Sequence, residues 1–222
     1  MALAGGVTTA VVCPGDANLI GGTCAAIKTA GKTVSDLTIV PELAFHMSLT
    51  DEVKTTYSGK RSPKTRLATA ALIREALMKA KNYHTSWKLA ETDPSKKPPK
   101  FDMKLHSLMR VFDGMPVKIT AKRSYDMATA IRIAEEFGLH YTLEDCTESW
   151  LIPDLLKKHN VSCVVGPSYG SKSSENRNRD PIVGSVLEEH GIPFASSTAH
   201  PKMNIELSAI HLPLMYKKGS LP

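Results

Sequence analysis

The sequence predicts an α/β fold in which short parallel β-strands alternate with helices. Residues 115–148 carry this prediction most clearly. Residues 116–121 form a short run rich in β-branched residues, as buried strands do, and residues 139–143 begin a second strand. Between them Met127, Ala130, Ile131, Ala134 and Phe137 recur at three- and four-residue steps, which defines the apolar face of a helix. A strand–helix–strand unit of this kind implies two parallel strands.

Length and composition agree with one domain over residues 1–222. The hydrophobic content is 42% but aromatic residues make up only 6%, so Ala, Ile, Leu and Val fill the core, as in α/β proteins. No apolar run approaches the length that spans a membrane, and the N-terminal residues lack the basic segment and cleavage site of a signal peptide. A cytoplasmic location, with no membrane partner, is the resulting expectation.

The charge pattern argues against nucleic-acid binding. The formal net charge is +6, but the lysines crowd mainly into the Pro-rich residues 95–104, which read as a solvated loop. Basic residues are not interleaved with the stacking aromatic residues that a nucleic-acid surface needs. The cysteines Cys13, Cys24, Cys146 and Cys163 include no C-x-x-C pair, so we expect reduced, partly buried thiols.

The first half of the chain contains several strand candidates. Residues 6–13 form an apolar strand, and the loop PGDANLIGG follows it. Such a loop after a parallel strand either presents backbone N–H groups to an anion or serves only as a tight turn. Residues 25–30 and 37–40 are short strands that flank a turn, and residues 44–50 form another strand, in which His46 is predicted to be a core or lining residue.

The remaining elements continue the alternation. The helix at 124–137 is predicted to have Ser124 as its N-cap and Gly138 as its stop. The long helix after KRSPKTR presents an inner stripe made of Leu67, Ala70, Ala71, Ile73, Ala76 and Leu77. Residues 102–114, 147–158 and 181–190 are predicted helices, residues 160–166 and 192–197 are strands, and a last helix follows. The polar residues 167–180 form a long loop at the predicted functional edge of the sheet, which makes them a candidate lid.

Three motifs stand out in the chain: GVTTAVVCPGDANLIGG, KRSPKTR and ITAKRSYDMATAIRIAEEFGLHYTLEDCTE. Together they resemble the amidohydrolase superfamily in its imidazolonepropionase-like branch. The resemblance covers nearly the whole chain and implies a TIM-like (β/α)8 barrel. It begins at the family's second strand and ends just after the eighth, so an incomplete barrel is expected. The family's first strand carries an H-x-H metal pair, and no H-x-H occurs in this sequence.

The resemblance implies hydrolysis of C–N bonds in cyclic amides, amidines or peptides by zinc or another divalent metal. At the strand ends the family reads H-A-H-R, H-G-T-E and T-T-D-H-P, whereas this chain reads TAKR, DCTE and STAHP. Hydrolysis of this type needs imidazoles and carboxylates that converge on the metal. We therefore expect no bound metal. The degenerate positions are Asp51, Thr120, Lys122, Asp145 and Ala199.

These substitutions predict an inactive or remodelled amidohydrolase-like protein, a pseudoenzyme. Two alternatives stay open: an active hydrolase completed by a partner chain that supplies the H-x-H strand, and a metal-free subunit that binds a small molecule. We predict that Lys122 pairs with Asp51 or Asp145, because a fixed cation neutralises carboxylates that would otherwise repel each other; the alternative is that all three point into water. The candidate pocket residues are Asn18, Gly21, Gly22, Arg66, Lys122, Arg123, Asp145 and His200.

The resemblance also predicts an assembly. Without the family's first strand, residues 7–13 and 192–197 would lie at two sheet edges whose free N–H and C=O groups invite another strand. Direct closure of the sheet would need a different strand tilt and stagger. We therefore expect a homo-oligomer, or a partner chain that completes the barrel.

Overall fold

A computed structural model describes residues 2–57, 59–60, 63–167, 169 and 173–215 of the chain. Its centre is a curled seven-stranded sheet with the strands in sequence order. The strands are β1 (Thr9–Val12), β2 (Ile20–Lys28), β3 (Thr38–Ser48), β4 (Val117–Thr120), β5 (Tyr141–Glu144), β6 (Cys163–Val165) and β7 (Phe194–Ser196). β1, β2 and β3 pair antiparallel, and β3 to β7 pair parallel. The predicted α/β half-barrel, an incomplete TIM-like barrel, is thereby confirmed.

Helices connect the parallel strands. The α-helices are α1 (Val34–Leu37), α2 (Glu52–Thr55), α3 (Arg66–Thr92), α4 (Met103–Leu108), α5 (Ser124–Phe137), α6 (Pro153–Lys158), α7 (Val183–Glu189) and α8 (Ser208–Leu214). Short 3-10 helices cover Ala2–Gly5, Met109–Asp113, Ser149–Leu151 and Ile205–Leu207. In the part of the chain that is described, no helix is both long and apolar enough to cross a membrane.

The unit β4–α5–β5 has the predicted parallel arrangement. Gly138 ends α5 with a φ of +66°, a left-handed conformation that glycine adopts without steric cost. The predicted N-cap is wrong by one position, because Ser124 is the first helical residue and Arg123 is the N-cap. The Ser124 N–H and hydroxyl donate instead to Glu148 Oε2, at 2.9 and 3.2 Å. A buried carboxylate from a distant loop therefore satisfies the helix start.

The N-terminal strands differ from the prediction in length. Residues 37–40 and 44–50, which we predicted as separate strands, lie largely in the single strand β3. β2 begins at Ile20 and so includes Gly21 and Gly22 from the predicted loop. The register between β2 and β3 shifts at three places, and these bulges let one long strand continue where the local sequence indicates a break.

The expectation of reduced cysteines is wrong for Cys13 and Cys24, which form a disulfide. The physical reason is strand pairing: β1 and β2 run antiparallel with Val12 opposite Ala25, so the next residues of the hairpin, Cys13 and Cys24, face each other with their Cα atoms 4.2 Å apart. Cys146 and Cys163 are free thiols, and both are buried.

The core lies between the parallel strands and the helices. Val117 and Leu143 of the sheet and Met127 of α5 are fully buried, as are Leu77 and Ala80 of α3. Two residues predicted for the inner stripe of α3 are wrong: Leu67 and Ala71 are exposed, because both lie on the outer face of the helix. The parallel strands thus pack into this core, and polar side chains lie beyond their carboxyl ends.

Candidate functional site

Charged side chains gather where the parallel strands end. Asp51 follows β3, Lys122 and Arg123 follow β4, and Asp145 follows β5. This edge is where barrels of alternating strands and helices place functional residues, because the loops beyond the strands converge there.

Lys122 is the central cation of this cluster. Its Nζ lies 2.8 Å from Glu175 Oε2 and 3.9 Å from Asp145 Oδ2. The side chains of Lys122, Glu175 and Asp145 are 11%, 10% and 12% exposed. Burial by itself would lower the pKa of Lys122, but the charges of Asp145 and Glu175 outweigh burial and raise it. The cluster therefore holds Lys122 as an ammonium ion.

The predicted ion pair of Lys122 with Asp51 or Asp145 is confirmed, and its partner is Asp145. Asp51 instead binds Lys54, Arg66 Nη2 at 2.9 Å and Arg123 Nη2 at 3.2 Å. Burial tends to raise the pKa of Asp51, but the Lys54 hydrogen bond and the surrounding positive charges lower it overall. Asp51 is thus an ionised carboxylate held among cations.

Arg66 joins this cluster to helix α5. Its Nε lies 3.2 Å from Asp126 Oδ1, and its guanidinium stacks 4.6 Å from the centre of the Tyr125 ring. Burial raises the pKa of Asp126 to about 6, against the attraction of Arg66. Arg66, a predicted pocket residue, therefore contacts two site carboxylates, Asp51 and Asp126.

Asp145 lies in a strained backbone position. Its φ is +57°, a region that non-glycine residues rarely adopt. A Cβ at Gly166 would lie 1.7 Å from Asp145 Oδ1, so only glycine permits this carboxylate to reach past β6. Lys202 approaches the same carboxylate from the loop after β7, with its Nζ 3.0 Å from Oδ2. Two cations therefore share Asp145.

The predicted lid contributes directly to the site. In the described residues 173–180, Glu175 accepts hydrogen bonds from Lys122 and from the Asp51 backbone N–H, while Ser174 O accepts one from Arg123 Nη2 at 2.8 Å. Asn178 Nδ2 donates to Glu148 Oε1 at 2.8 Å, which ties the far end of the loop to the start of α5. No sequence pattern predicts Glu175 as a site residue beyond the polar composition of this loop.

A second polar group lies at the other side of the strand ends. His46 Nε2 lies 2.9 Å from Thr120 Oγ1 and 3.4 Å from Asp16 Oδ1, and the ring is buried. A Cβ at Gly21 would lie 2.7 Å from His46 Nδ1, so this strand position requires glycine. Burial acts to raise the pKa of Asp16, but hydrogen bonds from His46 and Thr120 outweigh it and lower the pKa. His46 is a lining residue, as predicted, and Asp16 is a site residue that no sequence pattern predicts.

The predicted pocket residues thus fall into separate groups. Arg66, Lys122, Arg123 and Asp145 belong to the charged cluster around Glu175, whereas Gly21 contacts His46. Of the other predicted positions, Asn18 and Gly22 are half-buried, Ala199 has a φ of +46°, and His200 is exposed and precedes a cis peptide bond to Pro201.

The side chains at the strand ends do not fit a catalytic divalent metal. Lys122 presents an ammonium, Ala199 has no ligating atom, and the Thr120 hydroxyl is engaged with His46. Asp51 and Asp145 are each paired with cations of the protein. Within residues 2–57, 59–60, 63–167, 169 and 173–215, no group of three or more His, Cys, Asp or Glu side chains is placed to hold a metal ion.

The fold and the site define an α/β half-barrel protein with a charged cluster at the carboxyl ends of its parallel strands. The chain is similar to an amidohydrolase from Thermotoga maritima MSB8, with a TM-score of 0.92 and 30% sequence identity over 99% of this chain. It spans 58% of the length of that amidohydrolase. This similarity supports the resemblance of the chain to the amidohydrolase superfamily. No protein-family model and no curated protein matches the chain.

Proposed function

We propose that this chain is an amidohydrolase-like protein of the imidazolonepropionase-like branch whose catalytic metal site has been replaced by ion pairs. In this proposal it does not hydrolyse C–N bonds. The observation that carries the proposal is the buried Lys122 ammonium, paired with Glu175 and Asp145 at a strand end where the family resemblance places a metal-binding histidine.

The chemistry of the site supports this proposal. Hydrolysis of an amide by a metal enzyme requires a divalent cation that lowers the pKa of a bound water and polarises the carbonyl. A buried ammonium repels such a cation by several kcal/mol at the effective dielectric constant of a protein. Replacement of a single supporting group already reduces metal affinity 10–100-fold in metalloenzymes, and here the ligating atoms themselves differ.

Elemental analysis tests this proposal. The chain is purified without a metal-binding tag, incubated with excess zinc and desalted. We expect far less than one zinc per chain both before and after the incubation. Near one zinc per chain, with loss of the metal on Asp51→Ala or Asp145→Ala substitution, would show that the site is a metal centre.

The strand order favours a second candidate function, in which this chain assembles with a second copy or with another chain. β1 and β7 lie at the two ends of the sheet, and Val11 and Val12 of β1 are 48% and 51% exposed. Apolar edge strands are prone to pair with another chain. We propose that a second copy or another chain covers these edges, with more than about 1,000 Å² buried in total. If the assembled protein is an active hydrolase, the added chain would also supply metal ligands.

Light scattering at micromolar concentration tests the assembly. We expect a dimer or larger species, and a Val11→Lys variant should dissociate because it places a charge on the edge. Leu67→Lys is the matched control, since this side chain is 85% exposed and belongs to α3 and not to an edge strand. A wild-type mass of 24.1 kDa would rule out self-assembly. Zinc uptake and C–N hydrolysis that appear only after addition of another chain would favour the partner-completed hydrolase.

A further inference from the structure

The Glu175 carboxylate is bound in the charged cluster through hydrogen bonds to both of its oxygens, as a small ligand would be. Its Oε1 accepts a hydrogen bond from the Asp51 backbone N–H at 2.5 Å, and its Oε2 accepts one from Lys122 Nζ at 2.8 Å. Both oxygens of one carboxylate are therefore bound by separate donors. The residue is only 8% exposed. Such charge-assisted bonds are among the stronger hydrogen bonds in proteins.

The donors and the carboxylate come from different parts of the chain. Asp51 and Lys122 follow the neighbouring parallel strands β3 and β4, which belong to the buried sheet. Glu175 lies in the loop between β6 and α7. The same loop is also anchored by Arg123, which donates to Ser174 O at 2.8 Å. The donors thus follow strands of the sheet, and the loop supplies the carboxylate that accepts their hydrogen bonds.

These donors need an anion when Glu175 is absent. Lys122 would keep Asp145, at 3.9 Å, and a weaker attraction to Asp16, and the Asp145 carboxylate is already 3.0 Å from Lys202. The Asp51 N–H would lose its acceptor. Buried donors without acceptors are costly, and a buried ammonium more so.

The surroundings select the class of anion. The donors of Asp51 and Lys122 match the two oxygens of one carboxylate. Asp51 and Asp145 are each already paired with cations of the protein, so removal of Glu175 leaves one uncompensated positive charge, which a singly charged anion balances. A singly charged carboxylate fits both the donors and the charge.

We propose that the ends of β3 and β4 form a binding site for a small carboxylate, and that Glu175 is its built-in occupant. An external carboxylate binds there only when Glu175 is withdrawn. This inference rests on the metal-free site of the proposed function and assigns that site a ligand class.

Acetate titrations of a Glu175→Ala variant test the proposal. The protein is freed of metal on a chelating resin, because soluble chelators are themselves carboxylates. We expect the variant to bind acetate with a Kd of about 0.1–10 mM, the range open to a ligand of so few atoms. At ten times Kd, acetate should raise the melting temperature of the variant by about 3 °C, and chloride at equal ionic strength should not.

Two controls separate this site from general effects of charge. Glu52→Ala removes an exposed carboxylate next to Asp51, and neither it nor the wild type should bind acetate. Lys122→Met in the Glu175→Ala background should weaken acetate binding at least about tenfold, since it removes a charged donor. Acetate binding that is unchanged by Lys122→Met would overturn the proposal, as would a folded Glu175→Ala variant that does not bind.

A poorly folded Glu175→Ala variant would still answer the question. In that case circular dichroism in matched acetate and chloride decides it: acetate must restore the native signal, and equal recovery in chloride contradicts the proposal. Failure of either experiment leaves the metal-free site intact. Stoichiometric zinc in the wild type would instead remove the proposed function, so the two failures are distinguishable.

Discussion

Replacement of Lys122 by methionine tests whether the charged cluster holds the strand ends together. Met keeps the length of the side chain and removes its charge, so a change in stability reports the ion pairs rather than a cavity. The variant would leave the buried carboxylates of Glu175 and Asp145 without the ammonium, which lies 2.8 and 3.9 Å from them in the wild type.

The expected loss of stability depends on the hydrogen bonds and ion pairs that each carboxylate keeps in the Lys122→Met variant. Removal of one partner from a buried ion pair costs about 3–5 kcal/mol. Glu175 would keep the Asp51 N–H, and Asp145 would keep Lys202, so we expect the lower end, about 3 kcal/mol. For a chain of this length that corresponds to a fall in melting temperature of about 6–12 °C.

Urea denaturation followed by circular dichroism measures this loss. The control is Lys79→Met, which breaks the exposed i,i+4 pair with Glu75 and should cost less than about 0.5 kcal/mol. A double variant, Lys122→Met with Glu175→Gln, should recover about half of the loss, because it removes the uncompensated carboxylate. If Lys122→Met stays within about 0.5 kcal/mol of the wild type, the group is effectively solvated and the reasoning fails.

Other predictions concern pH, the disulfide and the sheet. Burial raises the pKa of Asp126 from 3.8 to about 6, so its contribution to stability is complete below about pH 4 and is lost as the pH rises through about 6. Asp126→Asn cannot ionise, so its free energy of unfolding should rise relative to that of the wild type by up to about 3 kcal/mol between about pH 4 and 7. Urea titrations that give the same difference in stability at all pH values would contradict this. The unreduced, denatured chain should react with Ellman's reagent at two thiols, and loss of the disulfide by Cys13→Ser and Cys24→Ser should cost about 2–3 kcal/mol; four reactive thiols would refute the pairing. Gly21→Ala would press a Cβ against a buried histidine ring and should cost about 1–3 kcal/mol, whereas Gly15→Ala, which meets open space, should be nearly neutral; equal unfolding midpoints would show that the ring can move.

The sequence by itself determined the strand–helix–strand unit and the edge at which charged residues gather. Its apolar periodicity indicates α5, and the left-handed stop at Gly138 follows from residue type. Because parallel strands bring their carboxyl ends to one edge, the convergence of Lys122, Arg123 and Asp145 follows from the strand positions alone.

Only the tertiary structure decided which groups pair. Glu175 is 53 residues from Lys122 along the chain, and the path of its loop depends on contacts with Arg123 and Glu148 that no local pattern records. The bond between Cys13 and Cys24 depends on the register of β1 against β2, since a shift of one residue would turn one side chain to the opposite face. Local patterns reflect backbone propensity and burial, which neighbouring residues set, whereas ion pairs and a disulfide depend on distances between segments that only the packed chain brings together.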